Sequence, residues 1–227
     1  MKLLAIDTAS DACSGALLVD ESCFERYRIA PRQHAGLVLS MVQELLDEAG
    51  LALADLDALA FGRGPGSFTG VRIGAGVIQG LAYGADLPVV PVSSLQALAQ
   101  GALRESASAR VLAAFDARMG EVYWGAYADD GSGLMRADMD DLVSIPENVP
   151  IPGGSGWLGA GQGWGAYASA LSERIGEKLT RTQPDRLVRA LDVATLARAA
   201  HARGDSVGAA GALPVYVRNK VARKRGE

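Results

Sequence analysis

With 227 residues, 49% of them hydrophobic and 21% charged, the chain has the make-up of a globular protein with room for one sizeable core or two modest ones. Its formal net charge of −4 excludes a whole-body nucleic-acid clamp, which needs clustered positive charge, and leaves any RNA contact to a local basic patch or a partner. In MKLLAIDTAS the apolar run ends at Asp7, too early for a signal peptide, and no run reaches the roughly 18 apolar residues of a membrane helix. Two cysteines are too few for a disulfide framework or a cysteine zinc site, so Cys13 and Cys23 are expected as reduced thiols in a cytoplasmic protein.

The chain opens with an expected strand, KLLAID, a turn, and two further extended pieces, GALLVD and SCFERYRIA. Helical spacing starts at His34, where Val38, Val42, Leu45, Leu46 and Ala49 make one apolar stripe stopped by Gly50. The strand LDALAFG then leads into GRGPGSFTGVRIG at 62–74, which launches a second predicted helix over 69–84. PVVPVSS reads as a short strand and SLQALAQGALRE as a helix. Residues 111–127 then repeat the opening pattern of strand, Asp, tight turn and strand. LLAID ending at Asp7 matches LAAFD ending at Asp116 with an offset of 109 residues. A half-length offset is what a duplicated α/β domain produces, with a boundary near residue 105. Residues 129–156 read as surface loops, LGAGQGWGAYASALSERIG as a Gly-rich turn feeding a helix, and LDVATLARAAHARG as a helix ending at Gly204. The tail carries Arg218, Lys220, Arg223, Lys224 and Arg225 within eight positions, the pattern of a solvated charged end.

Only His34 and His201 are available for histidine chemistry. His34 begins a helix, where a polar cap or surface role is expected. Val38 stands where a second histidine would complete a metal pair on the same helical face, so a metal site, and with it a metalloprotease, is not expected. His201 reads as a surface residue. Asp7 and Asp116 each end a strand at the edge where α/β folds bind ligands, and each could either hold a hydrated Mg²⁺ beside a nucleotide or cap its own turn. The loop at 62–74 lacks the lysine of a P-loop and the acidic partner of a dinucleotide site. Phosphate binding there would rest on the backbone at Gly64 and Gly66, on Ser67 and Thr69, on Arg63 or Arg72, and on the helix N-terminus. The glycines continue, however, as Gly76, Gly80 and Gly84 at four-residue spacing. Each costs a helix about 0.8–1.0 kcal/mol, and their alignment makes a smooth strip for close packing, either within the chain or against a partner.

The stretches AFGRGPGSFTGVRIG, LAID, RQHAGLVLSMVQELL, FDARMGEVYW and PVYVRN together resemble the bacterial TsaB (YeaZ) proteins over essentially the whole chain. The resemblance implies an α/β fold of the ASKHA (actin-like/Hsp70-like) class, built from two duplicated RNase H-like subdomains, each a mixed sheet flanked by helices. These would span 1–105 and 106–227, with the tail 212–227 returning to the first. It also implies a noncatalytic subunit that dimerises with the catalytic TsaD subunit and recruits the ATPase TsaE. Together they place threonylcarbamoyl on N6 of adenosine 37 in tRNAs reading codons that start with A. Helices 34–49 and 69–84 would supply the partner interface, through Val38, Met41, Val42, Leu45, Arg72, Gly76, Val77, Gly80 and Gly84, with a homodimer through the same face when the partner is absent. By the same resemblance this chain alone binds no cofactor, ATP and Mg²⁺ are used by the complex, tRNA is met only through it, and no membrane is involved. The competing expectation is a stand-alone actin-like ATP-dependent phosphotransferase using Asp7 and Asp116.

Overall fold

The computed structural model describes residues 1–218, so Arg218 of the basic tail is included, whereas Lys220, Arg223, Lys224 and Arg225 lie outside the described residues. The first half forms β1 (Lys2–Asp7), β2 (Ala12–Val19), β3 (Ser22–Ile29), α1 (His34–Ala49), β4 (Ala58–Gly62), α2 (Phe68–Ala85), β5 (Val89–Val92) and α3 (Ser94–Ser106). β1, β2 and β3 are an antiparallel meander, while β4 and β5 add in parallel beyond β1, giving the order β3-β2-β1-β4-β5. The second half forms β6 (Arg110–Arg118), β7 (Glu121–Asp129), β8 (Met135–Ala137), β9 (Leu142–Ser144), β10 (Trp157–Ala160), α4 (Gln162–Ala166), α5 (Ala168–Ile175), β11 (Leu179–Gln183) and α6 (Ala190–Ala202). Here β7 is antiparallel to β6 and carries β8 and β9, while β10 and β11 add in parallel on the other side of β6. Both sheets therefore share one topology, the RNase H-like arrangement duplicated.

The strand chemistry follows from burial on two faces. β1 is a continuous apolar run because Leu4 and Ile6 pack under α1 and α2, while Leu3 and Ala5 face the other way. On that second face α3 and α6 lie between the two sheets, in a core that joins Ala58, Ala60 and Val90 to Val111, Ala113 and Phe115. The two helices are exchanged. α3 packs on β6, β7 and β8 of the second sheet, and α6 packs on β1, β2, β4 and β5 of the first. The chain has thus already returned to the first half with α6, ahead of residue 212. A third core, outside the second sheet, holds Trp124, Trp157 and Trp164.

Three sequence expectations need correction. The 129–156 segment contains β8 and β9, too short to show alternation. LGAGQG is not only a turn, because Trp157–Ala160 is a fully buried strand whose four residues carry no periodic signal. His34 is not on the surface: it is 6% exposed, and its Nε2–H donates to the carbonyls of Ser10 (2.9 Å) and Ala12 (3.2 Å), tying α1 to the β1–β2 turn. His201 is half-buried, with Nδ1 2.8 Å from the Ser206 hydroxyl. Cys13 and Cys23 are both free thiols, and β2 and β3 pair them with Arg28 and Leu18 respectively, so they do not face each other.

Candidate functional site

The glycine-rich loop is built around the β1–β2 turn. Side chains at Gly62 and Gly70 would collide with the Asp7 carboxylate and the Thr8 carbonyl, and one at Gly66 would sit 2.5 Å from the Ala9 carbonyl oxygen. Its backbone donors are largely spent inside the protein. Gly64 N–H donates to the Ser94 hydroxyl (3.2 Å), Ser67 N–H to the Ala9 carbonyl (2.7 Å), and Gly70 N–H to the Ser67 hydroxyl (3.3 Å), which caps α2. The loop is a close-packed joint between β4, α2 and the first turn, and Gly62, Gly66 and Gly70 are required by the closeness of its contacts.

Between the two sheets runs a cleft of about 380 Å³, walled by Ser10, Asp11, Gly66, Ser67, Asp116, Arg118 and Gln162. Of the six residues expected to meet a phosphate, Gly66, Ser67 and Asp116 line it, whereas Asp7, Gly64 and Thr69 do not. The two aspartates that looked equivalent in sequence differ in environment. Asp7 is 1% exposed, accepting from Ala9 N–H (3.0 Å) and the Ser94 hydroxyl (3.3 Å), and burial pushes its carboxyl up to about 7. Asp116 accepts from Arg118 N–H (2.7 Å), from the Arg118 guanidinium (2.9 Å) and from the Tyr167 hydroxyl (3.1 Å). Both cap their turns, and Asp7 is sealed away from the cleft, so the phosphotransferase expectation loses its paired carboxylates. Among the described residues no group of three His, Cys, Asp or Glu side chains could hold a metal ion.

The segment after α6 crosses the mouth of this cleft. Gln79 donates to the Ala212 carbonyl (3.2 Å), Val215 N–H donates to the Arg63 carbonyl (2.9 Å), and Arg218 donates to the Ala117 carbonyl (3.0 Å) while pairing with Glu121. Residues 212–218 therefore strap the first subdomain to the β6–β7 hairpin of the second.

The other feature is the outer face of α1 and α2. Val38, Met41, Val42 and Leu45 are buried against the first sheet, so these four do not present themselves to a partner; the amphipathic stripe that drew them out of the sequence is the core-facing one. The outward side of α1 carries Gly36, Leu39, Ser40 and Gln43 instead. On α2, Arg72, Gly76, Gly80 and Gly84 are exposed and Val77 is half-buried. A side chain added at Gly36, Gly76, Gly80 or Gly84 would meet nothing within 4 Å. No packing among the described residues explains these glycines. Beside them stand Leu39, 54% exposed, and Tyr83, 86% exposed, neither of which the apolar periodicity could single out.

A duplicated pair of RNase H-like sheets around a cleft defines the actin-like (ASKHA) class of α/β proteins. The family model described as TsaD, tRNA N6-adenosine threonylcarbamoyltransferase, matches residues 27–162. The chain is 46% identical to the tRNA threonylcarbamoyladenosine biosynthesis protein TsaB of Escherichia coli strain K12, over 99% of this chain and 98% of that one. It is 39% identical to the protein of the same description from Haemophilus influenzae, over 99% and 97%. The solved structure of YeaZ from Pseudomonas aeruginosa superimposes with a TM-score of 0.89 at 49% identity, covering 95% of this chain and 99% of that one. The chain belongs to the TsaB (YeaZ) family. No helix among the described residues is long and apolar enough to cross a membrane.

Proposed function

We propose that this chain is the noncatalytic subunit of a tRNA threonylcarbamoyladenosine-forming complex, docking on a TsaD-type catalytic subunit through the outer face of α1 and α2. The observation that carries the docking assignment is the solvent-facing glycine strip of α2. Three glycines in a helix together forgo roughly 3 kcal/mol of helix stability with no contact among the described residues in return, which a close helix-to-helix approach by a partner would offset. The names of the relatives support the pathway, and the TsaD family model spanning 27–162 supports a partner of similar architecture. In this reading the threonylcarbamoyl group reaches N6 of adenosine 37 at the partner's site, and a TsaE-type ATPase joins the assembled pair. This chain binds no nucleotide or metal of its own, and a homodimer through the same face forms when the partner is missing.

The test is to mix the chain with its TsaD homologue, measure the mass of the product, and assay tRNA modification with each component omitted in turn. Gly80→Leu is expected to abolish the heterodimer while leaving the folded chain intact, because the new side chain enters open space in the free protein. Unchanged co-migration of this variant with the partner would remove the interface assignment. Turnover of ATP by the isolated chain would remove the noncatalytic one.

A further inference from the structure

Where α2 begins, at the cleft mouth, two exposed aromatic rings flank a guanidinium. Phe68 is 59% and Tyr216 50% exposed, with ring centroids 6.4 Å apart. Arg72 places its guanidinium carbon 3.2 Å from the Phe68 centroid and 4.8 Å from that of Tyr216, and is anchored by a 2.9 Å hydrogen bond to the Phe68 carbonyl. Aromatic rings grouped at a surface mark an interaction site, where rings scattered singly would not. The strap fixes Tyr216 in place, through Val215 on one side and Arg218 on the other. Across the mouth stand Met119, 69% exposed and touched by Arg218, and the Arg118 side chain, 85% exposed.

We infer that Phe68, Arg72 and Tyr216, with Arg118 opposite, form a platform on which the bases of single-stranded RNA stack while arginines meet the phosphates. Stacking faces interleaved with cations are the elements single-stranded nucleic acid needs, because every base has a π-face and every linkage a negative charge. Of the local acids, Asp116 is paired with Arg118 and Glu121 with Arg218, while Asp11 is met by the Gln162 amide (3.1 Å). The sequence that follows Arg218 adds Lys220, Arg223, Lys224 and Arg225 against a single acid, Glu227, in a chain whose net charge is −4. Positive charge concentrated in the sequence directly after Arg218 favours a polyanion over a protein surface as the partner. The inference deepens the proposed function and rests on it for RNA as the partner class, and it uses the N-terminal end of α2, where Arg72 stands one turn before the first glycine of the strip.

The experiment is fluorescence anisotropy of the full chain with a fluorescein-labelled single-stranded RNA of mixed sequence, and with a fully paired RNA duplex of the same length, over a salt series. The single strand is expected to bind more tightly than the duplex. Tyr216→Ala and Phe68→Ala should each weaken the single-strand complex by about fivefold or more, the scale of one lost base stack, without moving the duplex. Tyr216→Phe should retain binding, and Arg118→Ala should flatten the salt dependence by about 0.7 in slope, one phosphate contact on a single strand. Equal affinity for both RNAs, no binding by the full chain, or a Tyr216→Ala variant that keeps RNA affinity but loses the TsaD homologue would each overturn the platform. Because the titration contains no partner protein, RNA binding by a chain that fails to pair with TsaD would remove the docking reading alone.

Discussion

Replacing Asp7 by asparagine should remove a definite part of the pH dependence of folding. The carboxyl is 1% exposed, and burial raises it from 3.8 to about 7 against the opposing hydrogen bonds from Ala9 and Ser94. In the unfolded chain it titrates near its ordinary value of about 3.9. Between these values the folded protein holds a proton that the unfolded chain has released. The group's stabilising contribution is therefore fully present below about pH 4, declines as the pH rises, and is lost above about pH 7. With about 1.4 kcal/mol per pH unit, the roughly three-unit window sets an upper figure on the order of 4 kcal/mol. Asparagine keeps an acceptor for Ala9 N–H, offers an amide donor to the Ser94 oxygen, and never ionises. Urea unfolding of both proteins at about pH 5 and about pH 8 gives the readout as a difference, so other groups titrating alike in both cancel. The asparagine variant should gain on the native chain by up to a few kcal/mol between the two conditions. Midpoints that move in parallel would refute the reasoning and reopen Asp7 as an ionised ligand-facing group.

The two kinds of glycine on α2 should respond oppositely to alanine. Gly76→Ala and Gly80→Ala, in open space, should each raise stability by up to about 1 kcal/mol in thermal unfolding, whereas Gly70→Ala should lower it sharply because its new carbon meets the Thr8 carbonyl. Trp164→Phe should cost about 1–3 kcal/mol beyond the change in packing, since the Leu112 carbonyl loses the buried indole N–H that reaches it at 2.8 Å; chemical denaturation measures it. A thiol reagent should label the exposed Cys23 first. Cys13, buried and with its thiol pushed up to about 11, should react only as the chain unfolds.

Much of the architecture is legible in the sequence, because it rests on local patterns. The repeated strand–Asp–turn unit marked the duplication, and the stripe from Val38 to Ala49 marked α1 within a residue. What failed were segments without a period. β10 is four buried residues, and β8 and β9 are three each, so their strand state comes only from pairing with β6 and β7. The docking face shows the same division. Apolar spacing finds the side of a helix that faces its own core, so it selected Val38, Met41, Val42 and Leu45, which the sheet covers. The glycines pointed outward for a reason that spacing alone leaves open, since a smooth strip serves an internal neighbour and an external one equally.

The sequence by itself determined that the chain is a duplicated α/β protein of the TsaB kind, and that the 62–74 loop has no lysine for a phosphate. The duplication and the missing lysine follow from short-range pattern, a property of neighbouring residues, and the family kinship from the resemblance of its motifs. Tertiary structure alone decided that Asp7 is sealed and Asp116 is not, and that α3 and α6 exchange between the sheets. It also decided that Gly70 is jammed against Thr8 while Gly76 and Gly80 are open. Those outcomes depend on which surfaces meet across long stretches of chain, and the same residue types at the same spacing can be buried or bare depending on what folds over them.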